Sequence, residues 1–337
     1  MYRRQPVLAL MVATLLVTAG CGGVIPGSDG GGADAGAALD TVPAKATGIV
    51  YVDVDGLLQS DAHRDLTNTY LSVLANQSAG YSGPTTAEEA IAQAKNESGL
   101  DPSSIDAITA FSAADAAGDY SGVIVTGSFT ESEFVTAQSE QQTYNFTETT
   151  YAGQPFYKPK NPPRYADTMY IGVLGDGKVV TGSEAAVKDA IDVSVGNADA
   201  ISGAVKTAFQ NSRDGFIRFG ATVPQDQLPT DAANRSLPVD ASVYSKVTTV
   251  WGAHYVSGDT VGATFTMQAT SADAATDIRD VTDGAVSLAS GYVSSDTAKE
   301  QLRNITVTKD GDTVTVTFEN SVSALQSVIK TLLGSDT

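Results

Sequence analysis

Residues 304–318 read NITVTKDGDTVTVTF, and residues 322–333 read VSALQSVIKTLL. In the first stretch Ile305 and Val307, then Val314, Val316 and Phe318, alternate with polar residues on either side of Asp310-Gly311. A period of two flanking an Asp-Gly pair predicts a half-buried β-hairpin. In the second stretch Val322, Leu325, Val328, Ile329, Leu332 and Leu333 recur at helical spacing. That stripe predicts an amphipathic helix whose only use is to cover the apolar face of the hairpin. The tail is therefore a ββα unit, and the rest of the chain can be read against it.

Three further stretches have the same grammar. Met169–Val180 holds two short strands around Gly175-Asp176-Gly177, after which Ser183 caps a helix through Val187, Ile191 and Val193. Val247–Gln268 turns at Ser257-Gly258-Asp259, and Ser271 opens a helix with Ile278, Val281, Ala285 and Ala289. Ile108–Phe129 supplies a third pair of strands, followed by a capping box at Thr130 and Glu133. An apolar strand precedes each set, Gly48–Val54 in one and Gly215–Thr222 in the other. The predicted class is α+β: two similar halves of ββα units, with antiparallel sheets and helices packed on one face. The expected division is a leader over 1–20, a flexible Gly/Ala/Asp tether over 21–44, one half over 45–205 and the other over 206–337.

The N-terminus bears on location. Arg3 and Arg4, an apolar run from Pro6 to Val17, and then Thr18-Ala19-Gly20-Cys21 have the layout of a signal peptide. The run is too short for a bilayer span, which takes about 20 residues. The pattern resembles the lipobox of prokaryotic lipoproteins, with Thr18 where a larger aliphatic residue is usual. That resemblance implies lipid attachment at Cys21 and a protein held on the extracellular face of the cell membrane. Cys21 is the only cysteine, so it closes no intrachain disulfide, and lipidation accounts for it. Arg3-Arg4 fits an ordinary charged leader and a twin-arginine one equally, with Tyr2 and Pro6 departing from the latter.

Twenty basic residues face 39 acidic ones, a formal net charge of −19. Without residues 1–20, which carry Arg3, Arg4 and no acid, the balance is 18 to 39, a net of −21. Such a surface repels phosphate backbones and anionic headgroups, which excludes nucleic acid as a partner. The composition, poor in Lys and rich in Asp, Thr, Ala and Gly, resembles that of proteins from salt-loving archaea. The turn from helix to strand at Gly99-Leu100-Asp101-Pro102 resembles a joint in uncharacterised families of exported prokaryotic proteins, which bears on fold only.

Familiar catalytic patterns are incomplete. His63 and His254 are the only histidines and lie in different halves, which argues against a histidine metal site or proton relay and for solvated or locally bonded rings. Gly80-Tyr81-Ser82-Gly83 lacks the spacing of a nucleophile elbow. Gly175–Lys178 sits inside a hairpin and is followed by Val179, so it is a turn rather than a phosphate loop. Asp53-Val54-Asp55-Gly56 starts like a calcium loop, but Leu57 occupies the fifth position and the set stays incomplete; alternate carboxylates on one strand face permit a weak cation site, and the favoured reading is a solvated strand end. No catalytic residue, metal or cofactor is assigned.

One segment is anomalous. Tyr144–Tyr170 concentrates Tyr144, Phe146, Tyr151, Phe156, Tyr157, Tyr165 and Tyr170 with Lys158, Lys160 and Arg164. Aromatic faces beside cations suit a glycan or an acidic protein partner. The candidate patch is Tyr151, Phe156, Tyr157, Lys158, Lys160, Arg164 and Tyr165. The competing reading is a hairpin turning near Gly153 with its rings in the core. Asn76, Asn96, Asn145, Asn234 and Asn304 head N-x-S/T sequons, the acceptors of N-glycosylation in exported chains. The sequence thus favours a lipid-anchored, non-catalytic surface binding or scaffold module. The alternatives are a transporter's solute-binding lipoprotein, with a ligand cleft between the halves, and a hydrolase working through two carboxylates.

Overall fold

A computed structural model describes residues 35–77, 80–114, 120–163, 168–224, 241–293 and 296–334. The first half contributes seven strands: β1 (Gly48–Asp53), β2 (Ile105–Ser112), β3 (Ser121–Gly127), β4 (Asn145–Tyr151), β5 (Gln154–Lys160), β6 (Tyr170–Gly175) and β7 (Lys178–Gly182). The second contributes β8 (Ile217–Thr222), β9 (Val247–Ser257), β10 (Thr260–Ala269), β11 (Ile305–Asp310) and β12 (Thr313–Ser321). All twelve join one antiparallel sheet in the order β11-β12-β10-β9-β8-β1-β2-β3-β7-β6-β5-β4. The α+β class is as the hairpin grammar predicts.

The two halves are visible in that order. Reading outward from the centre, β1-β2-β3-β7-β6 repeats as β8-β9-β10-β12-β11, with the hairpin β4–β5 added at the first half's end. The first strands of the halves pair with each other, from Gly48 opposite Ala221 to Val52 opposite Ile217. The expected separate sheets are therefore one sheet, because β1 and β8 satisfy each other's edge hydrogen bonds.

Helices lie on both faces of the sheet. On one face lie α2 (Val54–Gln59), α3 (Asp61–Gln77), α5 (Glu131–Gln141), α8 (Ala272–Tyr292) and α10 (Val322–Gly334), and α4 (Ala87–Ser98) packs against α3 and α5. The other face carries α1 (Ala35–Ala38), α6 (Glu184–Ser194) and α7 (Gly203–Asn211). The short α9 (Asp296–Arg303) packs against α8 and α10. The expectation of helices on one face holds for α8 and α10 of the second half and is corrected in the first. The reason lies in β1, where Ile49 and Tyr51 enter one core while Val52 enters the other. A strand apolar on both sides needs cover on both.

Residues 35–44, read as the end of a flexible tether, are packed instead. Leu39 and Val42 are fully buried against α6 and the sheet, and Pro43 bridges to Ala200. The division expected at 205/206 falls inside α7.

Candidate functional site

The aromatic segment forms the outer end of the sheet. β4 and β5 make a hairpin whose turn, Ala152-Gly153, has φ of 48° and 85°, the left-handed pair that tightens a two-residue hairpin. Of the two strands, β4 is outermost, and Thr147, Glu148, Thr149 and Thr150 on it are exposed. An outermost strand presents a row of backbone donors and acceptors to whatever approaches.

The pleat of β5 divides the candidate patch. Phe156 points to the face of α6 and is buried, stacked on Tyr170 with ring centroids 5.8 Å apart and tilted against Tyr151 at 6.1 Å. Tyr157 points to the opposite face, where its hydroxyl donates to the Glu131 carboxylate. Tyr151, Phe156 and Tyr157 therefore do not form one surface, because neighbours on a strand face opposite ways. The rings do pack in the core, as the hairpin reading requires.

On the α6 side the cations gather over the rings. Lys188 Nζ lies 5.4 Å from the Tyr151 ring centre and 5.7 Å from that of Phe156, and Lys158 Nζ lies 5.7 Å from Phe156. Lys188 also pairs with Glu184 at 2.6 Å, which holds that carboxyl below its usual range. The Tyr151 hydroxyl donates to Asp192 at 2.7 Å, an acceptor that keeps the phenol protonated and raises its pKa. Burial, then Glu131, does the same for Tyr157. Lys158 and Lys160 are exposed on the same side of β5. What the arrangement offers is a polar strand edge bordered by ring-backed ammonium groups. On the Tyr157 side a recess of about 310 Å³ opens between Glu131, Val173 and Gly175. Arg164 and Tyr165 lie outside the described residues.

The two histidines, read from the sequence as separate solvated or locally bonded rings, meet in the structure. His63 on α3 and His254 on β9 touch, with ring centroids 5.7 Å apart at 75°, and His254 is 7 % exposed. Neither is solvated, because α3 seats His63 over β9. No local signal marks this contact; only the scarcity of histidine and the placement of the two in different halves invite the question. Among the described residues no group of three or more His, Cys, Asp or Glu is placed to hold a metal ion.

Asp53 is a buried helix cap rather than a solvated strand end. Its carboxylate accepts from Gly56 N at 2.9 Å and opens α2. Burial first, then Asp55 and Asp106, push its pKa up. The Gly80–Gly83 segment is a loop held by the Tyr81 hydroxyl donating to the Pro84 carbonyl at 3.0 Å, and Gly175–Lys178 is the β6–β7 turn. Of the sequons, Asn76, Asn96 and Asn145 are exposed and Asn304 is half-buried; Asn234 and Cys21 lie outside the described residues.

No family model matches the chain, and no curated protein matches it. Among solved structures it is similar to TP0453. Crystal form III has 12% identity and a TM-score of 0.44 over 87% of this chain and 97% of that one. Form IV has 12% identity and a TM-score of 0.44 over 93% and 99%, and form I has 13% identity and 0.41 over 87% and 96%.

Proposed function

We propose that this chain is a lipid-anchored, extracytoplasmic binding or scaffold module, non-catalytic, that receives a protein or glycan partner at the β4–β5 end of its sheet. The observation that carries the reading is the pairing of an outermost strand of exposed, mostly threonine side chains with Lys158, Lys160 and Lys188 in an otherwise acidic protein. An acidic surface that concentrates ring-backed cations at one strand edge offers a partner both backbone hydrogen bonds and a charge contrast. The anchor is Cys21, whose flanks resemble a lipobox. Nucleic acid has no place in this scheme.

The pairing at the centre of the sheet favours the module over the solute-binding alternative. A ligand cleft between halves needs two lobes free to close, whereas here β1 and β8 hydrogen-bond along their length.

The test uses the full chain in its own membranes. A photo-crosslinking residue replaces Thr147 or Thr149 on β4, or, as a control, Thr308 on β11 at the other end of the sheet. A discrete adduct from β4 and none from β11 supports the module; equal labelling of both ends, or a small molecule found in the natively weighed protein, refutes it. Cys21→Ala is expected to move the protein from the membrane fraction to the medium, and retention would overturn the anchor.

A further inference from the structure

The two histidines meet where α3 lies on the second half of the sheet. His63 contacts Phe216 edge-on at 5.1 Å and His254 edge-on at 5.7 Å, and Phe216 is fully buried. Both ring nitrogens of His63 are buried with no hydrogen-bond partner among the described residues. The backbone closes over the site from below: a Cβ on Gly215 would stand 2.2 Å from the His254 carbonyl oxygen. Beside the rings Leu66 of α3 joins Val256, Val261, Phe318 and Leu325 in a small core of its own, which seats α3 and α10 together.

Among the described residues, the charged groups of the surrounding elements are engaged elsewhere or exposed. On α3 Asp61 pairs with Arg64, and Asp65 is exposed. On α2 Asp55 accepts from Gln59, and at its start Asp53 caps Gly56. On α4 Lys95 pairs with Asp101, Glu89 holds Thr85 and Glu97 accepts from Gln93, with Glu88 exposed beside them. Before β8 and on it, Asp214 holds Arg218, while Arg213 covers the Tyr255 ring and reaches Glu319 of β12. Asp259 at the β9–β10 turn and Lys330 on α10 are exposed, and Asp106 of β2 faces Asp53. Among the described residues it is burial first and His254 second that lower the proton affinity of His63, to about 3.

We propose that the contact of His63 with His254 is an acid-sensitive latch, which holds α3 and α10 on the sheet at neutral pH and releases them when His63 is protonated. A cation formed on His63 would be buried against the Phe216 ring with a second imidazole beside it. In the released state His63 titrates at its ordinary 6.5, whereas the docked ring takes its proton only near 3. The released form thus binds more protons over that interval, so the docking contribution is whole above pH 6.5 and is lost as pH falls towards 3. For one ring this raises the opening constant roughly thirtyfold between pH 7.5 and pH 5. Asp53, with its raised pKa, works in the opposite direction. Release is local because the α3–α10 core is separate from the cores beneath α5 and α6.

Two measurements in molar salt decide it. With only two histidines, the imidazole C–H signals can be followed by NMR against pH in the wild-type chain, assigned with His63→Phe. The latch requires that His63 stay neutral down to pH 5 while the helices are docked; a midpoint near 6.5 with α3 still protected overturns it. Hydrogen exchange, corrected for intrinsic rate, should show opening of α3 and α10 peptides rising roughly thirtyfold from pH 7.5 to 5 in the wild type and less than threefold in His63→Phe. An equal rise in the variant, or an equal rise in β1–β3 peptides, also overturns it. Should His63→Phe not fold, the wild-type titration and exchange still decide.

Discussion

The second helical layer can be tested at Gly172, where the sheet is cut away to admit α6. A Cβ built on Gly172 of β6 would stand 2.7 Å from Ile191 Cδ1 and 2.9 Å from Val187 Cγ1, and both side chains are fully buried. Gly172→Ala therefore overpacks a closed core, which costs about 1–3 kcal/mol. Alanine returns about 0.5–1 kcal/mol by restricting the unfolded chain, so the expected net loss is about 0.5–2 kcal/mol. Ile191→Ala removes three buried carbons and costs about 2–5 kcal/mol. In the double variant the new methyl occupies part of the space that Ile191 vacates, and of the three nearest atoms only Val187 Cγ1 remains. The losses should then fall short of their sum by about 1–2 kcal/mol. The assay is urea unfolding at constant molar salt, followed by circular dichroism, with the four chains compared as a cycle. Losses that add to within about 0.5 kcal/mol would refute the seating of Ile191 over Gly172, and with it the assignment of α6 to this face.

Three further outcomes are expected. Ser271 opens α8 by accepting from Ala274 N at 3.1 Å, and Ser271→Ala should lose about 1 kcal/mol in the same urea assay; an unchanged midpoint would mean that the cap is idle. The Asp101 carboxyl is held at about 2 by its hydrogen bonds from Lys95 and then Ser103, so it favours the fold above its ordinary 3.8 and gives up that contribution as pH falls through 2. In Lys95→Met its carboxyl carbon should titrate closer to 3.8 by NMR, and an unmoved midpoint would assign the shift to Ser103. With a formal charge of −19, the melting temperature should fall on transfer from molar to millimolar salt, where the screening length grows from about 3 Å to tens of ångströms; a flat profile would refute the halophilic reading.

What was legible in the sequence is what local chemistry determines. Asp310-Gly311 and Gly175-Asp176-Gly177 are turns in the structure because left-handed backbone is cheap at those glycines, and Thr130 with Glu133 closes a capping box because both groups lie within one helical turn. The helices after β3, β7, β10 and β12 follow for the same reason. The face each helix takes is set by residues far away, yet one signal for it was present. Ile49, Val50, Tyr51 and Val52 run without a polar break, and a strand covered on one side only would alternate. Leu39 and Val42 likewise marked the end of the tether as apolar enough to be buried, although the glycines and alanines around them masked it. The β1–β8 seam and the His63–His254 contact had no such signal. Each joins segments well over a hundred residues apart, and no turn or period in between specifies that they meet. The pleat explains the remaining error. Composition alone gathers Tyr151, Phe156 and Tyr157 into one patch, but once β5 is a strand its side chains must divide between two faces, so any surface a partner meets is set by alternate residues: Lys158 and Lys160 on the side of α6, Tyr157 on the other.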